Sequence, residues 1–479
     1  MKRTIISEAV NQAGQKLKIL GWIKSCRSHG KLVFMDIRDR SGILQVVFLS
    51  NLDEKIIERA KSAKEESVVE IKGKINKRPV DKINKNLATG SVEMEAEDIE
   101  IISEAETLPF PIEGKGYEIN EEKRLQYRYL DLRRERLQKN ILLRQKATQF
   151  IRNYLIENRF IEIETPVLTK STPEGARDFL VPSRLNKGKF YALPQSPQQY
   201  KQLLMIAGFE RYFQFPHVFR DEDLRADRLF EHTQLDIEMS FVTEEDVLNL
   251  VETMTIKLMQ EIFGKKIKEI PFPRISYKEA MQKYKTDRPD LRKNPEEFVF
   301  CWVVDFPMFE LLEDGSIDAV HHPFTALKDK DLETFKKMSV QELKNDKKTL
   351  LSFEAKQYDL VLNGAEVMGG SIRTHEPAVL EKTFEVLGHK KEAVTEQFGH
   401  ILEAFKYGVP PHGGIAAGFD RLLQTILNEK SIRETVAFPT NTTGKTAVMD
   451  APSSVDQNQL RELGIKVIKD DEAGNAKDK

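Results

Sequence analysis

The chain has 479 residues, enough for two or three domains, and its 40% hydrophobic and 31% charged residues are the balance of a globular protein. Its two cysteines, Cys26 and Cys301, lie far apart, which supports neither a disulfide framework nor a cysteine zinc site. The N-terminus lacks the apolar core of a signal peptide, and no apolar run is long enough to span a membrane, so we expect a cytoplasmic protein. The net charge of −2 gives no overall sign of nucleic-acid binding, for which a local basic patch would suffice.

Residues 16–103 have the pattern of an all-β module. Apolar and polar residues alternate over 69–75, as a sheet with one buried face requires. A short helix is predicted at 53–64, after the third of five strands. Those strands are predicted at 16–23, 32–38, 43–49, 67–75 and 91–102. This order fits an OB-fold, a small barrel that binds oligonucleotides, although small barrels also serve other ends.

A connector is predicted next, at 107–135, because Pro109 and Pro111 break regular structure. The basic run from Arg124 to Arg136 would lie along a nucleic-acid backbone or form a solvated amphipathic helix. From 136 to 158 the pattern is helical. Its apolar stripe is Leu137, Ile141, Thr148, Ile151 and Leu155. A strand follows at 160–166 and ends at a proline.

The stretch 218–241 predicts a strand, a polar loop and a second strand. It opens with apolar residues and closes on an alternating run, so the two strands should form an antiparallel hairpin. Arg220, Arg225 and Arg228 stand among acids in the loop. A guanidinium is always charged, and its planar fork of donors fits phosphate or carboxylate. On the residues alone, a solvated hairpin with surface ion pairs is the ordinary explanation.

An acidic pair marks the stretch 358–366, which alternates and which we predict to be one strand. Asp359 and Glu366 bracket it. Two carboxylates beside nucleotide phosphates are the usual oxygen ligands of Mg²⁺, whereas two unrelated acids at strand ends are the alternative. Gly369 and Gly370 would let a phosphate-bearing ligand approach the backbone closely.

These segments resemble the class II aminoacyl-tRNA synthetases, and the bacterial aspartyl-tRNA synthetases in particular. The run FRDEDLRADR at 219–228 resembles motif 2, which we place at about 216–241. The helix, strand and Pro166 resemble motif 1, at about 150–168, and the run from Tyr407 to Arg421 resembles motif 3, at about 408–427. The runs GWIKSCRSHGKLVFMDIRDRSGILQVVF and NKNLATGSVEME resemble that family's anticodon-binding domain.

The resemblance implies an α+β protein: an OB-fold barrel followed by a catalytic domain built on an antiparallel sheet flanked by helices. The expected domains are an anticodon-binding domain at 1–106, a hinge at 107–135, a catalytic domain at 136–454 and a C-terminal extension and tail at 455–479. Most bacterial relatives carry an inserted domain between the positions of Arg292 and Trp302, where this chain has about ten residues. We therefore expect that domain to be missing.

The reaction implied is the activation of L-aspartate by ATP, with Mg²⁺, to aspartyl-adenylate and its transfer to the 3′ end of tRNA-Asp. Motif 1 implies a homodimer. His29 resembles relatives that also charge tRNA-Asn, so that second acceptor stays open. Two alternatives remain: a related class II enzyme for asparagine or lysine, and an inactive synthetase-like RNA-binding protein.

Site residues follow from the resemblance, position by position. The residues expected to bind aspartate are Glu174, Ser196, Gln198, Lys201, Arg220, Gln234, Asp236, His321, His322 and Arg373. Those expected to bind ATP are Arg220, Asp221, Glu222, Arg228, His232, Glu366, Gly418, Phe419, Asp420 and Arg421. Within these sets Arg220, Glu222 and Arg421 are assigned to catalysis, and Asp359 and Glu366 to the metal. The residues expected to read the anticodon are Arg27, His29, Phe34, Gln45 and Glu93.

One position departs from the family. Phe230-Glu231-His232 stands where relatives usually have Pro-Glu-Phe, whose phenylalanine stacks on the adenine of ATP. A histidine also stacks, but less strongly. Paired histidines such as His321 and His322 can bind zinc, yet no third ligand lies nearby at zinc spacing, and the resemblance places them at the aspartate pocket.

Overall fold

The computed structural model describes residues 1–30, 32–172 and 175–468. The chain divides into two compact units, Met1–Pro111 and a second that begins at Ile112. Across the described ranges, no helix combines the length and the apolar character needed to cross a membrane.

The first unit is a closed five-stranded barrel in the order β1-β2-β3-β5-β4. Val33, Met35 and Ile37 of the second strand point into the barrel core, so the residues between them face outward. Helix α1 (Glu54–Ser62) connects the third and fourth strands and is capped by the Asp53 side chain. The strands are β1 (Lys16–His29), β2 (Leu32–Asp39), β3 (Gly42–Phe48), β4 (Val68–Lys77) and β5 (Val92–Ser103). The predicted OB-fold is confirmed.

The second unit contains thirteen strands and thirteen α-helices among the described residues. The strands are β6 (Ile161–Glu162), β7 (Leu180–Pro182), β8 (Phe190–Ala192), β9 (Arg211–Gln214), β10 (His217–Phe219), β11 (Glu231–Ser240), β12 (Arg274–Ser276), β13 (Phe300–Val304), β14 (Phe309–Leu311), β15 (Ile317–Ala319), β16 (Gln357–Leu362), β17 (Ala365–Arg373) and β18 (His412–Gly418). The helices are α2 (Glu121–Gln126), α3 (Arg128–Asp131), α4 (Glu135–Glu157), α5 (Gln198–Ile206), α6 (Glu244–Glu261), α7 (Tyr277–Tyr284), α8 (Asp329–Lys337), α9 (Val340–Asn345), α10 (Lys347–Leu350), α11 (Pro377–Val386), α12 (Lys391–Phe405), α13 (Phe419–Leu427) and α14 (Gln457–Leu463).

The second unit is organised around a nine-stranded sheet in the order β12-β13-β16-β17-β18-β11-β9-β6, with β10 paired to β11. Its inner pairs are antiparallel, as predicted, and only the outermost pairs β12–β13 and β9–β6 are parallel. One face carries the apolar core, where Leu235, Ile237 and Met239 of β11 pack with helices α4, α6 and α13. Because side chains alternate along a strand, Asp236 and Glu238 lie on the opposite face. That polar face is where the candidate site lies.

The acidic stretch is a hairpin and not the single strand we predicted. Asn363 and Gly364 both have positive φ, 54° and 82°, which is the geometry of a two-residue hairpin turn, and an Asn-Gly pair is its usual sequence. The chain therefore reverses between Asp359 on β16 and Glu366 on β17. The two acids lie on neighbouring strands and not at the two ends of one.

The connector also differs from both interpretations of its basic run. Arg124, Arg128 and Arg134 are buried, and all three contact the carboxylate of Asp131, at 3.1, 2.9 and 2.6 Å. Glu434, far along the chain, accepts from Arg124 at 2.8 Å. These arginines are neither solvated nor available to a nucleic-acid backbone, because a buried carboxylate network holds them.

Candidate active site

A cavity of about 320 Å³ opens on the polar face of the large sheet. It brings together side chains from β11, β16, β17, β18, helix α5 and the loop after β10. The predicted residues that line it are Ser196, Gln198, Lys201, Arg220, Glu222, Arg228, His232, Gln234, Asp236, His321, His322, Asp359, Glu366, Arg373, Gly418, Asp420 and Arg421. Residues distant in sequence thus share one concave surface with both signs of charge.

Buried ion pairs form one end of the cavity. Lys201 Nζ lies 2.9 Å from Asp236 Oδ1 and 3.4 Å from Glu238 Oε2. Arg373 donates from Nε and Nη2 to the two oxygens of Glu238, at 3.0 and 3.2 Å, and from Nη1 to Ser371 at 2.6 Å. Two cations and two carboxylates therefore balance one another before any ligand binds.

Glu238 is fully buried, and burial alone would raise the pKa of its carboxyl group. The charges of Arg373 and Lys201 outweigh burial and lower that pKa to about 2, so the group is ionised at neutral pH. Gly414 on β18 makes room for it, because a Cβ there would overlap the Glu238 carboxylate and the Ile237 carbonyl. Glu238 is therefore the buried partner of Arg373. Arg373 was predicted from the sequence, whereas Glu238 was missed.

Gln234 links the two halves of the cavity. With its amide oriented so that both ends are satisfied, it donates to Asp236 Oδ2 and accepts from Arg220 Nη2, each at 3.1 Å. Arg220 also donates from Nε to the Gln195 carbonyl at 3.4 Å. Arg220 is thereby positioned between the buried ion pairs and the more open end.

The open end holds three arginines, Arg220 among them. Arg228 lies 3.1 Å from Glu222, and Arg421 lies 3.6 Å from Asp227. These pairs are partly exposed, so an incoming anion can compete with the carboxylates for the guanidinium groups.

The ring of His232 sits among these arginines. Burial, and then the charges of Arg220 and Arg421, lower the pKa of His232 to about 3. The ring is therefore neutral at physiological pH and can stack on a flat heterocycle without adding charge.

Asp359 and Glu366 converge on one point. A Cβ placed on Gly369 would lie 3.0 Å from Asp359 Oδ1 and 3.3 Å from Glu366 Oε1. The charge of Asp359, and then burial, raise the pKa of Glu366. A cation between the two would relieve that repulsion, and hard oxygen ligands suit Mg²⁺, so the residues fit it. Within the described part of the chain no three His, Cys, Asp or Glu side chains form a metal-binding group. Water and substrate oxygens would complete the coordination.

The two predicted histidines face different neighbours. Burial opposes protonation of His321, but its contact with Asp359, Nε2 to Oδ2 at 3.4 Å, outweighs burial and raises the pKa of the ring. Burial, and then Arg373 and Lys201, lower the pKa of His322 to about 3. His322 Nδ1 accepts from the Phe324 amide at 3.3 Å, which leaves the proton on Nε2 as a donor.

Two of the predicted residues that the structure describes are not on the cavity wall. Asp221 instead forms an ion pair with Arg177, with Nε 3.7 Å from Oδ2. Phe419 is buried in the apolar core below the sheet. Glu174 lies outside the described residues.

Several lining residues were not predicted. Gln357 donates to Asp359 Oδ1 at 2.8 Å and lies two positions before it, so strand alternation was the available signal. Asp227 also lines the cavity, and its place among the other acids of the loop gives no signal that singles it out. Ile432 reaches the cavity from a segment far along the chain, and no local pattern indicates that.

The predicted anticodon residues share the outer face of the barrel. Phe34 and Gln45 point outward from β2 and β3, and the rings of His29 and Phe34 meet edge to face at 6.1 Å. Arg78, which was not predicted, contacts both Gln45 and Glu93, the latter at 3.1 Å. Phe34 is therefore not a residue of the barrel core, the alternative for an aromatic at this position.

Arg27, also predicted, is exposed at the end of β1 and lies 3.1 Å from Asp36. The outward face thus carries an aromatic ring, an amide and charged groups, the kinds of side chain that single-stranded RNA binds.

Each of the two units matches a family of known proteins. Residues 120–442 match the family model of class II tRNA synthetases (D, K and N), and residues 17–102 match that of the OB-fold nucleic acid binding domain. The chain is 39% identical to the aspartate–tRNA(Asp/Asn) ligase of Thermoanaerobacter sp. (strain X514), over 96% of this chain and 97% of that protein. It is 38% identical to the protein of the same name from Natranaerobius thermophilus, over 98% and 100%.

The alignment with the Thermoanaerobacter protein runs over 585 positions, more than a hundred beyond the length of this chain. These relatives therefore carry residues without a counterpart here, as a missing inserted domain would require.

Solved structures share the fold. Asparaginyl-tRNA synthetase from Pyrococcus horikoshii, complexed with asparaginyl-adenylate, has a TM-score of 0.72 and 22% identity, over 92% of this chain and 98% of that one. Aspartyl-tRNA synthetase from Entamoeba histolytica has a TM-score of 0.69 and 22% identity, over 92% of this chain and 91% of that one. At this identity the likeness speaks for the architecture alone.

Proposed function

The chain belongs to the class II tRNA synthetases of the aspartate, lysine and asparagine group, and from this premise we propose that it is an aspartate–tRNA ligase. The observation that carries the proposal is the buried end of the cavity, where Lys201 and Arg373 face the ligand space beside Asp236 and Glu238. Aspartate brings one ammonium and one side-chain carboxylate to that end. Asp236 then takes the ammonium, and Lys201 and Arg373 take the carboxylate.

This arrangement separates the three amino acids of the group. A lysine side chain would place a third cation against Lys201 and Arg373. Asparagine fits by shape, but its neutral amide offers no negative charge to Lys201 and Arg373. A site built to bind a polar group discriminates strongly against an analogue that lacks that group. Gln198 and Ser196 line the same end and would complete the contacts to the amino acid.

ATP occupies the open end of the cavity in this proposal. Arg220 would contact the α-phosphate, while Arg228 and Arg421 would contact the γ-phosphate and Glu222 would orient the nucleotide. His232, as a neutral ring, would stack on the adenine. The α-carboxylate of aspartate attacks the α-phosphorus of ATP, and pyrophosphate leaves. The protein therefore contributes positioning and charge and no nucleophile. Mg²⁺ held by Asp359 and Glu366 would offset the negative charge of the phosphates.

The barrel would bind the anticodon. We assign residues 1–106 to anticodon binding, 107–135 to the connector, 136–454 to catalysis and 455–479 to an extension. Phe34 would stack on a base, and Arg27, Gln45 and Glu93 would meet base edges or phosphate. The names of the relatives, together with His29, support tRNA-Asn as a second acceptor beside tRNA-Asp.

Charging of pure tRNA-Asp and pure tRNA-Asn with radiolabelled aspartate tests the function. We expect both to be aminoacylated. Charging of tRNA-Asp alone would remove tRNA-Asn from the proposal. Amino-acid-dependent ATP–pyrophosphate exchange that responds to asparagine or lysine and not to aspartate would overturn the proposal itself.

A homodimer is proposed through motif 1. Ile156, Ile161, Val167 and Leu168 are each about half exposed, unusual for large apolar side chains at one region of a single chain. Sedimentation should show a dimer that Leu168→Glu converts to monomer. Val80→Glu, at a largely exposed position between β4 and β5, should leave it a dimer. A monomeric unsubstituted chain would refute this part.

A further inference from the structure

A tight turn at residues 225–228 carries two residues of the phosphate end of the cavity. Arg225 and Arg228 pair across it, with the Arg228 amide donating to the Arg225 carbonyl at 3.3 Å. Asp227 faces Arg421 and Arg228 faces Glu222, so the position of this short turn sets where both arginines lie.

The turn is held from behind by the segment 431–433. The Ile432 amide donates to the Ala226 carbonyl at 2.9 Å, and the Ser431 hydroxyl donates to the same oxygen at 3.3 Å. Arg433 Nη1 donates to the Arg225 carbonyl at 3.3 Å. Three of the four donors on these two carbonyls therefore come from outside the turn.

Arg433 itself is fixed on its other sides. Only 4% of the residue is exposed, and its Nε donates to Glu121 Oε1 on helix α2 at 3.0 Å. Its own carbonyl accepts from Arg128 Nη2 at 2.7 Å. A charged side chain that is buried and bonded at both ends transmits the position of α2 to the turn, because neither end can move without breaking a charge-assisted bond.

We infer that Arg433 is a positioning residue for the ATP-phosphate side of the site. It touches neither the cavity nor the proposed ligands, and it acts by holding the turn 225–228 through the Arg225 carbonyl. The inference rests on the proposed function only for its kinetic consequence. Its structural consequence is that the turn 225–228 is fixed, and this does not depend on which ligand binds at the phosphate end of the cavity.

Arg433→Met and Arg433→Lys test it in the full chain. Losing a charge-assisted hydrogen bond should raise KM for ATP about tenfold in Arg433→Met, with KM for aspartate unchanged. Arg433→Lys should be intermediate, because an ammonium cannot bridge Glu121 and the Arg225 carbonyl with the geometry of a planar fork. Glu121→Gln, at a partly exposed position, keeps an oxygen that can accept from Arg433 but removes the charge of this outer partner, so it should raise KM for ATP less. Arg461→Met, on the exposed face of α14, is the matched control.

Hydrogen exchange gives a readout independent of activity. The Arg228 amide should exchange faster in both Arg433 variants, while amides of the central strands keep their protection. Unchanged exchange at 225–228 in folded variants would overturn the inference. So would an equal rise in KM for ATP and aspartate with a general loss of protection, which would show that Arg433 only supports the fold. An inactive unsubstituted chain would count against the proposed function, and the exchange result would still decide the role of Arg433.

Discussion

Arg373 and Glu238 are almost inaccessible to solvent, so each depends on the other for its charge to be tolerated. Arg373→Leu should abolish aspartate-dependent ATP–pyrophosphate exchange, because the pocket loses the guanidinium group that would bind the side-chain carboxylate of aspartate. It should also lower the free energy of unfolding by about 3–5 kcal/mol, since Glu238 keeps only Lys201.

The double variant Arg373→Leu/Glu238→Leu separates the two effects. Replacing both partners by apolar groups should restore much of the stability without restoring activation. Retained activity in Arg373→Leu would refute the assignment of the pocket.

His232 stands at the ATP end of the cavity, where the resemblance to the class II synthetases leads us to expect a phenylalanine. His232→Phe should lower KM for ATP about threefold, because a larger apolar ring stacks better on adenine. KM for aspartate should not change. His217→Phe, on the neighbouring strand and off the cavity wall, is the control. An unchanged KM for ATP in His232→Phe would mean that the ring does not meet the nucleotide.

Glu366 should make the Mg²⁺ requirement depend on pH. Its pKa is raised above the ordinary 4.5 by Asp359 and by burial, so it takes up a proton as pH falls through that raised value. The Mg²⁺ concentration for half-maximal exchange should therefore increase toward acidic pH. Asp287 also raises this pKa, so Asp287→Asn should move the change to lower pH. A requirement independent of pH would contradict this.

The raised pKa of Glu366 also makes the stability of the fold depend on pH. A raised folded-state pKa gives stability that is present at low pH and lost as pH rises through it. Without Mg²⁺, Glu366→Gln should therefore raise Tm at pH 8 and leave it nearly unchanged at acidic pH, as thermal unfolding would show.

At the scale of elements, the β16–β17 hairpin sets the distance between the two acids. Gly364→Ala should lower the free energy of unfolding by about 1–2 kcal/mol, because φ is +82° and the new Cβ would lie 3.2 Å from that of Asp290. It should also raise the Mg²⁺ requirement, since the hairpin positions Asp359 against Glu366.

Gly388→Ala is the matched control for the hairpin. Gly388 has φ of +85° with no neighbour within 4 Å of a Cβ, so it should lose stability without changing the Mg²⁺ requirement. If the two variants had the same Mg²⁺ requirement, the hairpin would not be what positions the metal site.

The elements also show where local patterns sufficed. The strand β11 and its hairpin with β10 follow from alternation, and both formed as predicted. The strand predicted at 160–166 shrinks to Ile161–Glu162, because pairing with β9 extends over those two residues only. The prediction of one strand over 358–366 was wrong because alternation continues on both sides of a turn. Only the Asn-Gly pair signals the reversal.

At the scale of the whole molecule, the proposed function assigns activation and tRNA recognition to separate units. Phe34→Ala should raise KM for tRNA-Asp about tenfold or more, since stacking on a base contributes roughly 1–3 kcal/mol. ATP–pyrophosphate exchange should be unchanged, because Phe34 lies in the barrel and the cavity in the second unit. A parallel loss of exchange in a variant with unchanged Tm would contradict that separation.

The sequence by itself determined the fold class, the family and most of the cavity residues, because strand alternation and contiguous motifs are local and the motif runs keep their order. Only the tertiary structure decided the partners. Glu238 beneath Arg373, Ile432 and Arg433 behind the turn at 225–228, and the buried carboxylates around the connector arginines meet across long stretches of chain. Those contacts depend on how distant strands and helices pack, and burial of a charge is a property of that packing and not of any local run of residues.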